Sequence, residues 1–548
     1  MHHASGTCPG FRRLLDLAAA TNPANSTLSP WHVAIYFDEV GPGNQLKIHN
    51  KRKLWAVYYS VKQFGGYELD IVNGLKGGLS HLFLRCLQIF QCLETGITLQ
   101  FNDCIKVCCF KIGILIADEQ AIKLCLECKG ASGKMCCFRC QTTIQARYAP
   151  TPIGRLILHT EHDVSKLVLH SDRSVWQIVD HLATQAGHGT KKAFSELEVR
   201  LGWNHVPNGV LLDQDMRAHF KPISHVSYDW MHVYLVAGIF HKEISALLDL
   251  MSKHGIRQSA LHDWCSHFVW PHLHGGQGCS AKDVFRKKRD SDSEFKCASS
   301  EALGIYPVIR SFFQNMNMEN IGHDMRLGIN SFYCLCEVLD SLKHAATGSI
   351  AVAAIYGTDS YVPKHHFSVH LPSLMELHGM LISCFVHERR HKITKRFANM
   401  QHSGHESMDR SVLREVVTTH IFDLQTDEDD SAWKPAKPNL VEAWKNHLGL
   451  PFLTHALLVA ATSNRCHMDD MVAVTEPRCI AQVLFHIRYG ETRVTLVKCF
   501  EKTGKNTFKM NPHDNELFVS TSCLQGAVVY KRLDAESILV APQSFYTA

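Results

Sequence analysis

No apolar run in the 548 residues approaches the ~20 that a membrane-crossing helix needs, so a helical span is excluded and a protein without a membrane partner is expected. Met1 to Gly10 lack the pattern of a secretory leader. The 21 cysteines are scattered through a long chain, which argues against a disulfide framework and for reduced thiols, some of them zinc ligands. Charge of one sign is scarce too: 57 Lys and Arg against 52 Asp and Glu leave only +5. Bulk charge therefore does not dictate a nucleic-acid partner, and any such contact has to come from local clusters. An apolar content of 45% indicates a folded protein, and the length suits about two to four domains.

The richest stretch is Lys111 to Gln141. Ile112 to Ala117 is a short, largely β-branched apolar run that predicts a buried strand, and it stops at Asp118. A carboxylate where a buried strand meets a helix sits on rigid scaffold at a sheet edge, open to solvent, metal or substrate. Glu119 to Cys128 reads as a helix, broken by Lys129-Gly-Ala-Ser-Gly-Lys134 before Cys136, Cys137 and Cys140. Upstream, Trp31 to Asp38 is a second strand ending in a carboxylate, followed by Glu39 and a turn at Gly41 to Asn44. Arg52 to Val61 predicts a neighbouring strand, Ser80 to Leu93 a helix, and Ile97 to Phe110 a hairpin around Asn102-Asp103.

From about 149 to 360 the patterns turn helical, including one packed helix read over Tyr228 to Leu248 and a basic run, Arg286 to Arg289, in a polar loop. His370 to Asn399 predicts two helices broken near His378-Gly379, with Glu388 among Arg389, Arg390, Lys392, Lys395 and Arg396. An acidic then proline-bearing linker follows, and the tail alternates like a small β-rich module.

Taken singly, a strand-end aspartate is most often a cap or a solvated carboxylate, and spacing does not select Asp38, Asp118 and Glu388 from the rest. The surrounding words do. Tyr36-Phe-Asp38-Glu39 with Gly43-Asn44, Lys53 to Tyr58, Ile116-Ala-Asp118, Cys137-Phe-Arg-Cys140, Tyr228-Asp229-Trp-Met-His232 and Phe385 to His391 together resemble the CACTA (En/Spm) transposase group, with its RNase H-like DDE core. The resemblance implies a mixed α/β fold: a lead-in (1–30), the first part of an RNase H-like core (31–148), a mainly helical insertion (149–360), closing helices of the core (361–425), a linker (426–440) and a β-rich C-terminal module (441–548).

It also implies that Asp38, Asp118 and Glu388 bind catalytic Mg²⁺ or Mn²⁺ and that the protein cuts and joins DNA strands in the nucleus as a homo-oligomer. Glu39 and Asp229 are rival carboxylates. Lys129, Lys134, Arg389, Arg390, Lys392, Lys395 and Arg396 are the expected phosphate contacts. For zinc two sets stand open: four thiolates from Cys125, Cys128, Cys137 and Cys140, or Cys137 and Cys140 with His232 and Cys128, against packed, metal-free cysteines. The remaining histidines, His365, His366, His370 and His391 among them, are assigned nothing beyond phosphate contact. A DNA- or protein-binding relative without activity and an RNase H-type nuclease are the alternatives. With about 30 residues before the first core strand, end recognition is expected either in the tail or in a domain missing upstream.

Overall fold

Trp31–Val40 carries apolar side chains on both of its faces, and a strand of that kind belongs in the middle of a sheet covered on both sides. In the computed structural model it does. The structure describes residues 1–40, 54–64, 68–73, 79–130, 135, 137–141, 145–148, 156–159, 167–272, 279–286, 295–317, 321–343, 363–379, 381, 383–400, 408–425, 433–463, 466–490, 492–510 and 516–541. Gly43, Asn44, Lys53, Lys134, 287–289 of the basic run and the acidic stretch 426–430 lie outside the described residues, as do the side chains at 385–390, Glu388, Arg389 and Arg390 included.

The protein is mixed α/β and divides into two units, 1–234 with 357–427 and 235–356 with 428–548. The first unit is organised by a five-stranded sheet of β1 (Trp31–Val40), β2 (Leu54–Val61), β3 (Glu68–Asn73), β4 (Phe110–Ala117) and β5 (Val226–Tyr228), in the order β3-β2-β1-β4-β5. β1, β2 and β3 run antiparallel in succession; β4 is parallel to β1, and β5 to β4. Successive side chains of a strand point to opposite faces. Phe37 accordingly meets Phe83 of the Leu79–Gln91 helix edge to face at 5.4 Å, while Tyr36 stacks on Tyr58, which in turn meets His391 of the Phe385–Met400 helix.

Two features depart from the sequence reading. The single packed helix expected over Tyr228 to Leu248 is a strand end, a short helix (Trp230–Tyr234) and, after Gly238, a separate helix (Ile239–Lys253). Ala237 adopts a left-handed φ of 44° at the break. The region read as helical thus contributes β5 to the sheet. The second feature is a bulge: Val33 pairs with Ile112 and Ala34 with Ile114, leaving Gly113 without an opposite residue.

The second unit pairs helices, Ser299–Gln314 and His323–Lys343 among them, with the β-rich tail, which is joined to 235–356 by a main-chain bridge between Val269 and Tyr530. Between those helices Arg310 donates to Asp340 at 2.8 Å and the Tyr306 hydroxyl donates to the other carboxylate oxygen at 2.6 Å, both charges being buried. Asp340→Ala strands the guanidinium in the core, so denaturant unfolding is expected to show a loss of about 3–5 kcal/mol, and replacing both partners by apolar residues a smaller one.

Candidate functional site

The β1, β4 and β5 register sets the site. Phe37, Ala117 and Tyr228 lie side by side across three parallel strands, and the next residue in each is an aspartate: Asp38, Asp118 and Asp229. Neighbouring strands are about 4.8 Å apart. Three carboxylates therefore form a row at the C-terminal edge of the parallel strands, where an α/β sheet presents its ligands.

Their environments differ. Asp38 is half-buried; its Oδ1 accepts the Glu39 N–H at 2.7 Å, and its Oδ2 accepts from the Tyr36 hydroxyl at 3.2 Å and faces His391 Nε2 at 3.4 Å. Burial, with the nearby charge of Asp118, pushes its carboxyl up to about 6 against the lowering pull of the Glu39 N–H, His232 and Lys395. Asp118 caps the Glu119–Cys125 helix by accepting the Ala121 N–H at 2.6 Å, which leaves its other oxygen uncommitted by that bond. Asp229 is fully engaged. It accepts the N–H groups of Met231, His232 and Cys384 and pairs with His232 Nδ1 at 2.5 Å. Burial opposes its charge, but the His232 imidazole and the N–H groups of Cys384 and Met231 hold the carboxyl below its usual range.

Asp229 thus orients His232 and ties the segment leading into the Phe385–Met400 helix to the sheet edge. Position 388 lies one turn before His391 in that helix. Of the expected phosphate contacts on it, Lys392 and Arg396 are exposed and Lys395 is half-buried with its charge felt at Asp38. Lys129 is committed elsewhere, its Nζ pairing with Glu198 at 3.1 Å.

Behind the row lies a second cluster. The donor atoms of Cys137, Cys140, His366 and His370 all fall within 4.8 Å of one another, and the four side chains are buried. Cys137 Sγ is 3.3 Å from His370 Nε2, Cys140 Sγ is 3.0 Å from His366 Nε2, and the two imidazole nitrogens are 3.2 Å apart. Tetrahedral zinc, with bonds of about 2.0–2.3 Å, sets its ligand atoms roughly 3.3–3.8 Å from one another, so the cluster fits with slight adjustment. Two thiolates and two imidazoles are also the donor set zinc favours. Hydrogen bonding with Cys137, then His366 and His370, pulls the Cys140 thiol far below its ordinary range despite burial, and burial keeps His370 neutral. Both are the protonation states a metal requires.

Of the two expected zinc sets, Cys137 and Cys140 lie in this cluster, and Cys125, Cys128 and His232 lie outside it. Cys125 is buried in the Glu119–Cys125 helix, and the main chain of Cys128 bridges to Trp203. His232 turns to Asp229 and, with Cys384, forms a different cluster. The two histidines of the cluster, His366 and His370, had a signal in the sequence: a Cys-x₂-Cys and a His-x₃-His, the spacing of a two-plus-two zinc site.

The two clusters share elements. The Tyr228 hydroxyl donates to Cys137 Sγ at 3.2 Å from the residue just before Asp229, and its ring stacks on Phe367 at 4.4 Å. The Pro363–Ser368 helix carries His366 and also Lys364, whose ammonium is lowered by burial and supported by the charges of Glu119, Asp118 and Asp229. Among the described residues no helix is long and apolar enough to cross a membrane. Compared with protein-family models and with curated proteins, the chain matches none.

Proposed function

We propose that the protein is a polynucleotidyl transferase of the DDE type, built on an RNase H-like core, that cuts and joins DNA strands at Asp38 and Asp118 with Glu388. The observation that carries this reading is the in-register row of aspartates. The sheet order β3-β2-β1-β4-β5, with three antiparallel strands followed by two parallel ones, supports it as well. Oxygen donors at a half-open edge suit Mg²⁺ or Mn²⁺. Bound there, such cations supply Lewis-acid activation of a nucleophile and neutralise charge at phosphorus. The chain's own part is placement. β1 and β4 hold two carboxylates at strand spacing, the Phe385–Met400 helix brings position 388 to the same side as His391, and Lys364 and Lys395 add positive charge beside them.

The Cys137, Cys140, His366 and His370 cluster is assigned to structural zinc, which pins the segment carrying Lys364 and the turn after it to β5. Acting on chromosomal DNA, the protein belongs in the nucleus. Incubation with supercoiled plasmid in Mg²⁺ or Mn²⁺ tests the reading, nicked and linear products that disappear in Asp118→Ala being the expected result. DNA binding without cutting by the unmutated chain would instead favour an inactive relative, and degradation of RNA in hybrids a nuclease of RNase H type.

A further inference from the structure

At the opposite end of the same strands, where β1 and β4 begin and the turn before β5 arrives, there is a cavity of about 330 Å³. Among the described residues that line it none is acidic, and six are basic: His32, Lys62, Lys111, Lys221, His225 and His378. The bulge at Gly113 makes room for one of them, since a Cβ there would stand 2.7 Å from the Cβ of His32. Lys62 is fixed by donating to the His378 carbonyl at 2.9 Å, at the C-terminus of the Leu371–His378 helix. The Nε2 of His378 is buried and makes no hydrogen bond among the described residues. Asp172, the acid that acts on His225, is spent on the N–H groups of Ile223 and Ser224 and the Ser224 hydroxyl.

Burial and neighbouring cations push His225 and His378 down to about 4 and lower His32 as well. Their charged forms are thus disfavoured, and the three imidazoles present neutral rings beside the side chains of Lys62, Lys111 and Lys221. Crowded basic groups, with an unpartnered ring nitrogen on His378 and no acidic residue among the described lining, suit a compact polyanion with several acceptor oxygens.

We propose that this cavity binds a phosphate group, either a phosphodiester of a polynucleotide strand or a free phosphate monoester. The site lies away from the aspartate row, so its fate does not depend on the cleavage reading. The test uses the full chain and a Lys111→Gln/Lys221→Gln variant, both lysines being exposed, with equal melting temperature confirming the fold. Inorganic phosphate is titrated against histidine-labelled protein by NMR, and a short DNA duplex is titrated by fluorescence anisotropy over a salt series. Saturable movement of the His225 and His378 resonances that the variant loses is the expected result. If the phosphodiester is the natural ligand, the variant also loses about tenfold in duplex affinity and its log–log salt slope shrinks by about 0.9 per lost contact. Loss of the phosphate response with unchanged duplex binding identifies the monoester. Phosphate that moves neither resonance, or moves both equally in the variant, overturns the site.

Discussion

Protein with both His366 and His370 changed to alanine is expected to lose nearly all of its bound zinc, whereas Cys128→Ser and His232→Ala each retain close to one zinc per chain. Elemental analysis of purified protein reads the difference. The four donors that converge are Cys137, Cys140, His366 and His370; Cys128 is not among them, and His232 pairs with Asp229. A four-ligand zinc site contributes an apparent free energy of about 10–16 kcal/mol in small domains, so removing two ligands should also lower the melting temperature sharply. Here the loss falls on a particular contact. Without the metal, the Pro363–Ser368 helix keeps only its packing, including Phe367 on Tyr228, against β5, and Lys364 is released from the carboxylates. Cleavage should fall in the same variant even though neither histidine touches the aspartate row.

The histidine pair shows why part of the site was hard to read. His366 lies 226 residues from Cys140, and nothing local to either links them until β5 and the segment around Tyr228 bring them together. In a chain with 36 histidines a His-x₃-His is also easily discounted. Asp38 and Asp118 stand out for the opposite reason, each following a long apolar run whose composition marks it as buried, although the strand expected to stop at Asp38 continues to Val40. Asp229 occupies the same structural place but follows a strand of only three residues, too short for any periodicity to register. The apolar spacing that continues past it then suggested one long helix, because Trp230 to Tyr234 and Ile239 to Lys253 share helical spacing across the break at Ala237 and Gly238. The alternation of the tail, which needs only local pattern, carried through to paired strands such as Cys479–Tyr489 and Thr492–Lys502.

Asp38→Asn and Asp118→Asn are each expected to reduce Mg²⁺-dependent DNA cutting by roughly 10³-fold or more, about the 4 kcal/mol that a lost electrostatic contact at a reacting centre costs. Both should fold. Asp229→Asn should behave differently, since its carboxylate holds Cys384 and His232 in place, and it should lower stability as well as activity. The pH dependence separates Asp38 from Asp118 further. Asp38 stands at about 6 in the fold against an ordinary 3.8, so its charge is disfavoured there. A carboxyl raised in the folded state binds its proton more tightly folded than unfolded, and in metal-free protein stability falls as pH rises from about 4 through 6. Asp38→Asn removes that penalty and should stabilise the metal-free chain at pH 8 by on the order of 1–2 kcal/mol in denaturant unfolding, an effect that vanishes at pH 4. The proposed cutting runs the other way, because the ionised form is the one that holds a cation, and the rate of the unmutated protein should drop as pH falls through 6. A variant at Asp38 that destabilised the metal-free protein at pH 8 would show that the carboxyl is not raised in the fold, and activity that stayed flat from pH 8 to 5 would show that its ionisation does not govern metal binding.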